Sequence, residues 1–127
     1  AFSSHLKETK QQVQRLEKVF GIINEDANAT KCPAMAGIVS EGEDIIDETD
    51  KNSAQRDVGL VFAAQKAEHY EIATYGGLVR LAKTLGYDEV ANVLHQTLQE
   101  EKNADLLLTQ IAEKNVNKKA SSEPANA

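Results

Sequence analysis

The sequence is poor in the residues that punctuate or cross-link a chain. Its 127 residues include one cysteine, two prolines, seven glycines, three Tyr, three Phe and no Trp. A lone Cys32 closes no intrachain disulfide, so nothing demands an oxidising compartment. So few turn-forming and aromatic residues argue against a β-sandwich or barrel. No apolar run nears the roughly 18 residues of a membrane-spanning helix. The first ten residues, AFSSHLKETK, lack the apolar stretch of a signal peptide. Basic residues are also in deficit, with 14 Lys and Arg against 20 Asp and Glu and a formal net charge of −6. That balance disfavours nucleic acid and anionic membranes as partners, because both require cations facing phosphates. No Gly-rich phosphate loop or nucleophile elbow is present, and no catalytic residue is assigned. A single acidic, all-α domain, expected in the cytoplasm, is what these exclusions leave.

Four segments carry a helical period. The first covers about residues 2–24, with Phe2, Leu6, Val13, Leu16, Val19, Phe20 and Ile23 as its apolar side. The second, 33–49, opens on Pro33 behind Thr30 or Cys32 and is weakened by Gly37 and Gly42. The third spans 53–85, with Ser53 or Asp50 as its cap and Gly86 as its stop. The fourth covers 89–114 behind Asp88. Residues 1–114 therefore form one helical domain, and 115–127, without an apolar period, are expected to be disordered. Only two or three residues join the third and fourth segments, which dictates an antiparallel hairpin. About thirty residues carrying a short helix separate the first and third. Long helices with one long crossover define the ferritin-like class of helical bundle. That class calls for four long helices, so the fourth, N-terminal one is expected to precede Ala1.

Charges fall where a core stripe should be apolar. Glu68 sits mid-stripe between Val61 and Tyr75, and Glu101 between Leu94 and Leu108. A buried carboxylate must be paired, protonated or bound to a metal. An antiparallel hairpin turning at Gly86 places Glu68, Glu71, Glu101 and Asp105 at one level. His5 and Glu8 lie on one flank of the first segment, together with Gln12. Carboxylates and a histidine projecting inward from facing helices suit a two-metal centre of iron or manganese. The candidate metal ligands are Glu68, Glu101, Glu8, Asp105, His5 and Glu71. His69 and His95 point away from the stripes. Tyr75 shares a face with Glu68 and reads as a core tyrosine with a satisfied hydroxyl.

The strings HLKETKQQVQRLEKVF at 5–20, KCPAMAGIVSEGEDII at 31–46, AAQKAEHYEIATYGGL at 63–78 and TLQEEKNADLLL at 97–108 resemble the YciE/YciF-like group of bacterial stress-associated, ferritin-like proteins. The resemblance runs to about Glu113. It implies a ferritin-like bundle with a crossover helix, a two-metal site between helices, a cytoplasmic setting and a homodimer. The chain departs from that pattern in two places. The family's upstream helix is missing from this sequence, and Gln12 stands where many members have His.

Two functions of different class follow. One is a stress-associated metalloprotein whose iron or manganese site handles oxygen or peroxide. The other is a non-catalytic helical module that works by association and keeps a vestigial metal site.

Overall fold

A computed structural model describes residues 2–124. The described residues are all helical or connecting, with no strand among them. The order is α1 (Phe2–Ile22), α2 (Pro33–Glu48), α3 (Ala54–Thr84), α4 (Asp88–Ile111), a π-helical turn (Ala112–Val116) and α5 (Asn117–Ser121). Among the described residues no helix is long and apolar enough to cross a membrane.

Local chemistry explains most of the helix ends. Cys32 is the N-cap of α2, its Sγ accepting a hydrogen bond from the Met35 amide at 3.4 Å, with Pro33 as the first helical residue. Ser53 precedes α3, and its Oγ accepts from the Arg56 amide at 3.1 Å. Two helices stop on a left-handed residue. After α3, Gly86 has φ +78°, its amide donates to the Lys83 carbonyl, and the Tyr87 amide reaches back to Ala82 at 2.9 Å. After α1, Asn24 (φ 59°) plays the same part, with Glu25 donating to the Phe20 carbonyl.

The chain divides into two compact units. One comprises Ala1–Thr30 and His69–Ala104, the other Lys31–Glu68 and Asp105–Ala127. In the first unit, Val19 packs with Tyr75, Val79, Ala82, Val90, Ala91, Leu94 and Leu98, flanked by Leu16, Ile22, Ile23 and Ile72. Burying each of the larger side chains is worth about 1.5–3 kcal/mol, so this cluster is the main adhesive of the unit. The α3–α4 hairpin supplies both walls of it, as the short Gly86 connection requires.

The buried face of α1 differs from its expected apolar side. Phe2, Leu6 and Val13 are each more than half exposed, whereas Gln12 is 3 % exposed and Val19 8 %. Polar contacts decide this: Gln12 and Arg15 find partners on α4, described below, and turn the helix toward them.

In the second unit α2 approaches α3 closely at Gly59, where an added Cβ would lie 2.5 Å from Ile45 Cγ2. Arg56 ties the end of α2 by donating to Thr49 Oγ1 at 3.0 Å and to the Ile46 carbonyl at 2.6 Å. The expected disordered tail is corrected over residues 115–124. A π turn and α5 carry the chain onward, and the Glu123 carboxylate accepts from the Ala54 and Gln55 amides at 2.7 and 3.0 Å. These amides at the start of α3 lack helical partners, and a carboxylate satisfies them. A contact 68 or 69 residues away in sequence leaves no local periodic signal. The last three residues of the chain, and what precedes α1, lie outside the described residues.

Candidate metal centre

Helical spacing places the site residues. His5 is one turn from Glu8 on α1, two turns before Gln12 and about three before Arg15. On α4, Thr97 and Glu101 share the stripe that continues to Leu94 and Leu108, and all four are buried. On α3, Glu68, Ile72, Tyr75 and Val79 recur every three or four residues.

Three of the six expected ligands gather. His5, Glu68 and Glu101 each offer one ligand atom, and these atoms lie within 4.8 Å of one another. Glu101 has no exposed surface and Glu68 is 3 % exposed. Neither Glu101 oxygen accepts a hydrogen bond among the described residues. His5 Nε2 stands 4.0 Å from Glu101 Oε2, too long for a hydrogen bond. A fully buried carboxylate in that state is costly as an anion unless a cation or a proton compensates it.

The other three expected ligands are not members of this group of three. Glu8 lies 3.7 Å from His5 Nδ1 and is partly exposed. Glu71 is half-buried. Its carboxyl is raised above the usual range, first by burial and then by the nearby Glu101 charge, with His5 acting in the opposite sense. Asp105 accepts a hydrogen bond from Gln65 Nε2 at 3.0 Å, and the same nitrogen donates to Thr109 at 2.9 Å.

Tyr75 is buried at 7 % exposure. Burial pushes its phenol up to about 12, helped by the Glu71, Glu101 and Glu100 carboxylates and opposed by Arg15. The neutral phenol is therefore the stable form at any physiological pH.

Sequence spacing did not reveal the pair beside these acids. Arg15 forks onto Glu100, with NH1 at 2.5 Å from Oε2 and NH2 at 2.6 Å from Oε1. Gln12 Nε2 adds a bond to Oε2 at 3.1 Å, and Arg15 NH1 also donates to Thr97 Oγ1 at 3.3 Å. Arg15 holds the Glu100 carboxyl below its ordinary range, reinforced by Gln12 and opposed by burial. The usable signal was Arg15 lying one turn past Gln12, on the same flank as His5.

A carboxylate and imidazole cluster inside an all-helical fold defines a bundle protein with a candidate metal centre. The DUF892 family, described as a domain of unknown function, matches residues 1–121, and the chain belongs to that family. It is 47 % identical to protein YciF of Escherichia coli K12 over 94 % of this chain and 72 % of that protein. The crystal structure of the E. coli stress protein YciF is similar, with a TM-score of 0.86 over 93 % of this chain and 74 % of that one. YcfI from Rhodopseudomonas palustris, described as a candidate structural protein, has a TM-score of 0.80 at 37 % identity, covering 84 % and 68 %. The all-α fold and the resemblance to the YciF-like group are both established by these matches.

Proposed function

We propose that this protein is a stress-associated metalloprotein that binds iron or manganese through Glu101, Glu68 and His5, and that Glu8 and Glu71 serve the same site. The observation that carries this reading is Glu101, fully buried with no hydrogen bond to either oxygen. Two carboxylates and an imidazole are the donor set that suits such ions. When bound, the ion supplies Lewis-acid and one-electron chemistry toward oxygen or peroxide. The chain's own residues bind and shield. Glu101 and Glu68 give anionic oxygens in a water-poor interior, where attraction to a cation is strongest. His5 gives a ring nitrogen, and Glu8 stands 3.7 Å from its Nδ1. Tyr75 keeps its proton and offers a neutral hydroxyl near the acids.

We place the protein in the cytoplasm, and as a homodimer, in keeping with its acidic composition and its YciF-like resemblance. Light scattering tests the dimer. The structural role ascribed to YcfI favours the other reading, in which the fold serves association and the metal site is vestigial.

Elemental analysis of protein purified without chelator decides between them. Bound iron or manganese is expected, with affinity lowered at least about tenfold in Glu101→Gln. A metal-free protein whose Glu101→Gln variant is more stable than wild type would establish the associative reading instead.

A further inference from the structure

Neighbouring carboxylates on α4 have opposite surroundings. Glu100 has both oxygens engaged, Oε1 by Arg15 NH2 and Oε2 by Arg15 NH1 and Gln12 Nε2. Glu101, the next residue, has both oxygens buried without a hydrogen bond. A guanidinium is permanently charged and presents the same fork to a carboxylate that a bridging cation would satisfy. Arg15 is further fixed by Thr97, itself 1 % exposed. Its charge also reaches Tyr75, the residue whose phenol the Glu71 and Glu101 charges reach. The carboxylate next to Glu101 in the chain therefore already has its cation, supplied by Arg15.

We infer that the centre holds a single divalent cation on Glu101, Glu68 and His5, and that Arg15 occupies the place of a second cation while keeping Glu100 out of the ligand set. This rests on the metal-binding reading above and sharpens it. For Glu100 to become a ligand, it would have to give up a two-pronged ion pair. A second divalent ion there would also face the guanidinium at close range, where like charges repel in a low-dielectric interior. Arg15 is thus a positioning residue that sets the number of ions bound.

The test is metal stoichiometry on the full chain loaded with Mn2+ and freed of loose ion by gel filtration. Wild type is expected to hold about one ion per chain, Arg15→Lys about one, and Arg15→Met about two, because Glu100 is released from its ion pair next to Glu101. Two ions in wild type, or one in a folded Arg15→Met variant, would overturn the inference and leave the metal-binding reading standing. No ion in wild type would overturn both. Electron paramagnetic resonance of Mn2+-loaded wild type needs no variant. The hyperfine pattern of an isolated ion is expected, and an exchange-coupled spectrum would refute the single-ion site.

Discussion

Tyr75 and Glu101 show how one side chain's surroundings set its chemistry. The Tyr75 phenol rises to about 12 in the folded protein, against 10.0 for the free side chain. A group raised in the folded state contributes stability that is whole below its unfolded value and is lost as pH climbs through the folded one. Stability should therefore fall between about pH 10 and 12 by on the order of 2 kcal/mol from this residue. Tyr75→Phe is expected to flatten that part of the alkaline profile in urea titrations. A profile unchanged by the substitution would contradict the assignment. Glu101 was legible from sequence because a Glu interrupted an apolar stripe. Its neighbour Glu100 was not, since nothing local distinguishes a carboxylate paired with Arg15, 85 residues away, from one facing water.

Among the helices, the most informative contacts are the ones that local pattern does not encode. Gly37, Gly42 and Gly59 all look like weak points in helices, yet only Gly59 has a neighbour closer than 3 Å to where a Cβ would be. Gly59→Ala should cost about 1–3 kcal/mol through the clash with Ile45 Cγ2, read as a lower urea midpoint. Gly37→Ala, with nothing within 4 Å, should be neutral or stabilising. Glu123 caps α3 from the far end of the sequence. Glu123→Ala is expected to lose about 1 kcal/mol and to speed hydrogen exchange at the Ala54 and Gln55 amides, with the amides of α1 unaffected. Exchange at Ala54 equal to wild type would show that Ser53 alone caps the helix. Pro33 marked the start of α2, Ser53 the start of α3 and Gly86 its end, whereas Asp88, expected as a cap, is the first residue of α4, which stops at Ile111 rather than 114. The π turn and α5 had no such mark, because five-residue elements hold no apolar period.

For the protein as a whole, ligand linkage is the relevant measure. A cation that binds the folded chain and not the unfolded one adds stability by mass action, about 2.7 kcal/mol at a hundred times the dissociation constant. Adding Mn2+ should therefore raise the melting temperature of wild type by about 10 °C, the shift that such a gain implies at this size. Glu101→Gln should melt at one temperature with or without the ion. A wild-type melting temperature indifferent to iron and manganese would count against the metal reading and favour an associative role.

Sequence alone determined the all-helical class, the hairpin at Gly86 and the two acid-bearing stripes. Each depends on interactions within a few residues, such as turn chemistry, capping and the helical repeat. Tertiary structure decided which face of α1 is buried, which of the candidate carboxylates come within reach of the His5 imidazole, and where the tail goes. Those outcomes turn on partners far away in sequence: Gln12 and Arg15 with Glu100, and Glu123 with the start of α3. A carboxylate's oxygens reach no farther than a hydrogen bond. Whether they meet a guanidinium, an amide or a cation is fixed only once the helices have packed.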